Sequence, residues 1–157
     1  MSLESPKPES VDGAPLRVAV VAARYNERLV EALVRQVSAG VRAAGVVEAN
    51  LTLDRVPGSN ELPVAARLIA ERRKPDAIVA LGVIVRGDTI HYELIANASA
   101  DALQRVALDA RIPVINGIVV AENQAQAEAR CLGEIDRGME FARAAVEMAA
   151  LRRRLAP

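Results

Sequence analysis

Apolar and polar positions fall in blocks along this chain. Ala77 to Val85 contains no polar residue, and Leu16 to Ala23 is apolar apart from Arg17. Runs of this kind, with nothing polar alternating in them, predict strands buried on both faces. Leu51 to Val56 and Ile112 to Val120 predict two more strands. Between them the period changes. Leu29, Val30, Leu33, Val34, Val37 and Val41 recur at helical spacing from Glu27 to Ala44, and Gly45 ends that helix. A second helix is predicted from Glu61 to Arg73, with Pro63 in its first turn, Ser59 or Asn60 as cap and Pro75 closing it. A third runs from His91 to about Ala110, its buried face read from Leu94, Ile95, Ala98, Ala102, Leu103 and Val106. Gln124 to Leu132 and Asp136 to Arg154 complete the helices. Four strands alternating with helices predict a three-layer, flavodoxin-like α/β sandwich on a four-stranded parallel sheet with right-handed crossovers. Residues 1–15 lack periodicity and predict a flexible leader. Residues 16–157 then form a single domain, without internal repeats.

Composition narrows the function. The chain has 157 residues, 52% of them apolar, with 20 basic and 20 acidic side chains. Zero net charge argues against a nucleic-acid partner, and no apolar run reaches the length of a membrane span. A lone cysteine, Cys131, and the absence of a signal-peptide pattern make a cytoplasmic setting the expectation. Aromatics amount to 2%, so alanine and valine must fill the core, and surplus apolar surface is expected to meet copies of the same chain. Lysine occurs only at Lys7 and Lys74, neither suited to a buried Schiff base. With one histidine and one cysteine no zinc site is expected, and the usual nucleotide-binding glycine patterns are absent.

Candidate chemistry lies where strands end. In an open parallel sheet, ligands bind beyond the carboxyl ends of the strands. Three such ends carry polar sets: Arg24-Tyr25-Asn26, Ser59-Asn60-Glu61, and Gly87-Asp88-Thr89 followed by His91. Gly87 permits a tight exit, and Asp88 or Thr89 is expected to cap the next helix. Free N–H groups at that helix start suit a phosphate, and the only histidine can move protons beside it. Tyr25 can stack on a flat ring or stand as a boundary aromatic. Glu61 can accept hydrogen bonds from a polyol or an amine, or simply answer a helix dipole. Arg130 can bind an anion or be a solvated helix residue, and the run Arg152-Arg153-Arg154 suits a helix C-terminus electrostatically.

Ordered motifs make the pattern more specific. They are Ala23-Arg24-Tyr25-Asn26, Val56-Pro57-Gly58 with Glu61-Leu62-Pro63, and Ala80-Leu81-Gly82 through Arg86-Gly87-Asp88-Thr89-Ile90-His91-Tyr92. Ile112-Pro113-Val114 with Asn116-Gly117-Ile118, Glu122-Asn123 through Gln126-Ala127 and Arg130, and Glu147-Met148-Ala149 follow. Together they resemble the lumazine synthase family over roughly Leu16 to Arg154. The resemblance implies condensation of 5-amino-6-ribitylaminouracil with 3,4-dihydroxy-2-butanone 4-phosphate, the penultimate step of riboflavin biosynthesis, with no cofactor. It places Tyr25 near the pyrimidine, and Ser59, Asn60 and Glu61 on the ribityl chain and ring. Val83, Ile84 and Val85 would line the ring site, with Asp88 and Thr89 beside the phosphate. His91 would be the proton-transfer group, Asn116 a further substrate-binding position, and Arg130 a phosphate contact made from a neighbouring subunit. It also implies a homopentamer, or an assembly of pentamers, with active sites between subunits. Two features depart from the family: amides at Asn60 and Asn116, where many members carry aromatics, and no lysine after Arg130. A ligand-holding relative with little turnover, and an unrelated flavodoxin-like module for a phosphorylated ligand, stand as the other readings.

Overall fold

The computed structural model describes residues 10–133 and 135–155. Nine elements alternate: β1 (Val18–Ala23), α1 (Glu27–Ala43), β2 (Leu51–Val56), α2 (Leu62–Arg73), β3 (Ala77–Val85), α3 (His91–Ala110), β4 (Val114–Ala121), α4 (Gln124–Cys131) and α5 (Arg137–Leu155). All strand pairs are parallel, in the order β2-β1-β3-β4. This is a three-layer, flavodoxin-like sandwich. Adjacent strand residues serve opposite layers. Val18, Val20 and Ala22 pack with α1, α4 and α5, whereas Ala19, Val21 and Ala23 pack with α2 and α3. Both central strands are therefore buried, except at Val85 where β3 meets the edge, which is why their sequences are unbroken apolar runs.

Two capping expectations fail. The residue before α3 is Ile90 and that before α2 is Glu61, and neither helix has a side-chain cap. Asp88 and Thr89 lie in an exposed bend before α3. Ser59 and Asn60 instead begin a short 3-10 turn, Ser59–Glu61, that leads into α2. Gly87 is not in a left-handed conformation, so its exit does not depend on glycine. Gly45 does end α1, with φ +101° and its N–H donating to Arg42 O. Of the expected leader, residues 1–9 lie outside the described residues. Gly13 is buried and its N–H donates to Ala44 O at 2.9 Å, so this part of the segment is tied to the end of α1.

The most consequential difference concerns α3. Its buried residues are Ser99, Leu103 and Val106, while Leu94 is 59% exposed. The stripe Leu94-Ile95-Ala98, read from the sequence as core, faces a cleft instead.

Candidate active site

The parallel sheet brings the carboxyl ends of β1, β2 and β3 to one edge. A cleft of about 780 Å³ opens there, between those ends and the first turns of α3. Backbone bonds join the two loops on its floor. The N–H groups of Arg24 and Tyr25 both donate to Pro57 O at 3.2 Å. The Tyr25 ring lies beside Gly58, where any Cβ would touch it, and the side chain is otherwise largely exposed. Gly58 N–H donates to Glu61 Oε2 at 2.8 Å, so one carboxylate oxygen is fixed and the other is free to accept from a ligand. Asn26, in a left-handed conformation (φ 56°), starts α1 and sends Nδ2 to Val83 O at 2.8 Å. β1 ends at Ala23, so this amide occupies the place that a further β1 residue would take beside β3.

His91 is the first residue of α3 and lines the cleft with Thr89. The N–H groups of the first helical turn have no acceptor within the helix. Beside them, Arg86 bonds Glu122 at 2.8 Å and its guanidinium sits 6.0 Å from the Tyr92 ring centre. The Tyr92 hydroxyl donates to Glu93 Oε1 at 2.8 Å, and that bond, with burial secondary, raises its pKa above the ordinary phenol value. Among the described residues, no group of three or more His, Cys, Asp or Glu is arranged to hold a metal ion. A flat ring against Tyr25, hydroxyls or amines at Ser59–Glu61 and an anion at the start of α3 would all fit one ligand pair.

A profile of the family described as 6,7-dimethyl-8-ribityllumazine synthase matches residues 15–153. A protein of that name from Polaromonas sp. strain JS666 is 45% identical over 91% of this chain and 91% of its own. One from Albidiferax ferrireducens is 45% identical over 90% and 88%, and one from Paracidovorax citrulli 43% identical over 91% and 91%. The chain belongs to the 6,7-dimethyl-8-ribityllumazine synthase family.

For a member of that family, the cleft gathers most of the residues singled out from sequence: Tyr25, Ser59, Asn60, Glu61, Val83, Ile84, Val85, Thr89 and His91. Three others stand elsewhere. Asp88 is exposed beside the cleft and does not line it. Asn116 sits mid-strand opposite Ala80, its Oδ1 accepting from Ile118 N–H at 3.1 Å. Arg130, half-buried, bonds Gln126 O at 3.0 Å on α4, in the helix layer across the sheet from α3. Sequence reasoning placed Asn26 in a strand-end polar set without giving it a role, and left Gly58, Tyr92, Leu94, Ile95 and Ala98 out of the site. For α3 a signal existed: His91, Leu94, Ile95 and Ala98 recur at helical spacing and so share a face.

Proposed function

We propose that this chain condenses 5-amino-6-ribitylaminouracil with 3,4-dihydroxy-2-butanone 4-phosphate, releasing 6,7-dimethyl-8-ribityllumazine, phosphate and water. One observation carries the reading. In a chain of this family, a single cleft joins an exposed aromatic, a polar turn with a held carboxylate, and a helix start bearing the only histidine. The substrate's own 5-amino group attacks the ketone carbonyl and forms the imine as water leaves. No enzyme lysine is required, in keeping with a chain that has only Lys7 and Lys74. Tyr25 stacks on the pyrimidine. Ser59, Asn60 and the free oxygen of Glu61 bind the ribityl hydroxyls. The backbone of Val83–Val85 borders the ring. Thr89 and the start of α3 hold the phosphate, and His91 carries protons during imine formation and phosphate elimination. Asp88 beside the phosphate is offset by Arg86 or by an incoming Arg130.

Arg130 lies on α4, in the helix layer across the sheet from α3, and does not line its own cleft, which supports a role for it in a neighbour's cleft. The working unit is a homopentamer or an assembly of pentamers, in the cytoplasm. No helix among the described residues is long and apolar enough to cross a membrane.

The test is a steady-state assay of both substrates, following lumazine absorbance and phosphate release with the uncatalysed condensation subtracted. His91→Ala is expected to lower turnover roughly a hundredfold, the low end of what positioned proton transfer supplies. Product affinity should change little. Wild-type protein that binds ribityllumazine without turnover above background would sink the catalytic reading in favour of a ligand-holding one. Unchanged turnover in His91→Ala would remove the histidine from the mechanism.

A further inference from the structure

The turn Ser59–Glu61 is gripped from two sides at Ser59. On one side is the bare backbone of β3: a Cβ at Gly82 would collide with Ser59 Oγ. On the other is α3. Ser99, 1% exposed, donates from Oγ to Ser59 O at 3.2 Å. Ser59 is itself only 7% exposed.

That bond is not needed to satisfy the carbonyl, which already accepts Leu62 N–H at the entrance to α2. Nor is it the default for a helical serine, whose hydroxyl ordinarily bonds back to a carbonyl of its own helix. Ser99 reaches across to a different segment. Its helix begins with His91, eight residues earlier, at about 1.5 Å of rise per residue. The neighbouring Ala98 lines the cleft, and Ser99 lies just behind that lining. One buried hydroxyl thus links the helix that carries the histidine to the turn that carries Asn60 and Glu61.

We propose that Ser99 is a positioning residue. It sets the Ser59–Glu61 turn at a fixed distance from α3 and thereby fixes the edge of the cleft that recognises the polyol chain of the substrate. The identity of that chain rests on the function proposed above. The position of the turn does not.

The experiment compares wild type, Ser99→Ala and Ser99→Cys, the last keeping the volume with only a weak donor. The KM of each substrate is measured. So is the affinity for 6,7-dimethyl-8-ribityllumazine and for the same lumazine with a methyl group in place of ribityl. Losing one neutral hydrogen bond corresponds to about fivefold. Both variants should raise the KM of the ribityl substrate, and weaken ribityllumazine binding, by about that factor. The KM of the phosphate substrate and the affinity for the methyl analogue should stay at wild-type values. Parallel changes for both ligands, no change for either, or a wild-type result for Ser99→Cys would each overturn the role. Should Ser99→Ala fail to fold, Ser99→Cys decides by the same criteria. A wild-type protein that binds ribityllumazine without turning over refutes the catalytic reading alone, because the binding pair still tests Ser99. One that binds neither lumazine overturns both.

Discussion

Gly82 shows how closely a single backbone position is tied to the site. It lies in the middle of the most buried strand, and the space a methyl group would take is already occupied by the Ser59 hydroxyl and a Leu62 methyl group. Turning the Ser59 hydroxyl aside still leaves the Ser59 Cβ 3.3 Å from the added methyl, so Gly82→Ala must press the turn away from β3. The expected cost is about 1–3 kcal/mol of stability, typical of overpacking, with weaker ribityllumazine binding in the same variant. Thermal denaturation and fluorescence titration check the two effects, and a variant with wild-type values in both would contradict the packing. Cys131 makes a different residue-scale prediction. Burial pushes its thiol up to about 11, with Arg130 pulling slightly the other way. The native thiol should therefore resist a thiol reagent near pH 8 and react at the rate of unfolding. An unfolded chain ionises this thiol near pH 8.5 while the folded chain does not. Its contribution to stability is thus present in full below that pH and lost as pH climbs toward about 11. Urea midpoints should therefore fall with rising pH across that window more steeply in wild type than in Cys131→Ala. These effects separate what a sequence shows from what it hides. That Ser59 and Glu61 would stand at the carboxyl edge of the sheet was legible from their place after a strand. The contacts of Gly82 and Ser99 with Ser59 were not, because they depend on which atoms meet across 23 and 40 residues.

At the scale of elements, the strands were the most legible part, because a run with no polar residue can be satisfied only inside a sheet covered on both faces. Helix α3 was less so. It carries two apolar stripes, one for its own sheet at Leu103 and Val106 and one for the cleft at Leu94, Ile95 and Ala98, and periodicity alone cannot assign either. The end of α5 gives the clearest mechanical prediction. Asp76, 5% exposed, precedes β3 at the edge of the sheet opposite the cleft. Its Oδ2 accepts Arg17 N–H at 2.7 Å and pairs with Arg153 at 3.0 Å, while Oδ1 pairs with Arg152 at 3.4 Å. The basic run at the helix C-terminus thus fastens α5 to the entry points of β1 and β3. Asp76→Ala leaves a part-buried N–H and two half-exposed guanidinium groups without that acceptor and should cost about 1–3 kcal/mol. Asp76→Asn retains an acceptor for Arg17 and should cost less. Urea denaturation orders the three proteins, and turnover should remain at the wild-type level because the cleft lies at the other end of the strands.

At the scale of the whole molecule, the unresolved demand is apolar surface. On the α2–α3 side, Val64 and Leu68 are a helical turn apart and 59% and 56% exposed, and Leu94 of α3 is exposed to the same degree. Exposed apolar side chains on one side of a fold mark a surface that meets a partner, and copies of the same chain closing into a ring would cover it. The cleft points the same way: it is open, Tyr25 at its rim is 74% exposed, and Arg130 lies across the sheet from it. Leu68 lines no part of the cleft, so it tests assembly without touching the chemistry. Sedimentation velocity on wild type should show a species several chains in mass. Leu68→Asp places a charge in the proposed contact and should shift the protein toward the single chain at micromolar concentration, with secondary structure intact by circular dichroism. Turnover should then fall in proportion to the assembled fraction and recover at higher protein concentration as copies re-associate. A dissociated Leu68→Asp chain with full turnover would show instead that each chain carries a complete site, and the role assigned to the neighbour's Arg130 would have to be given up.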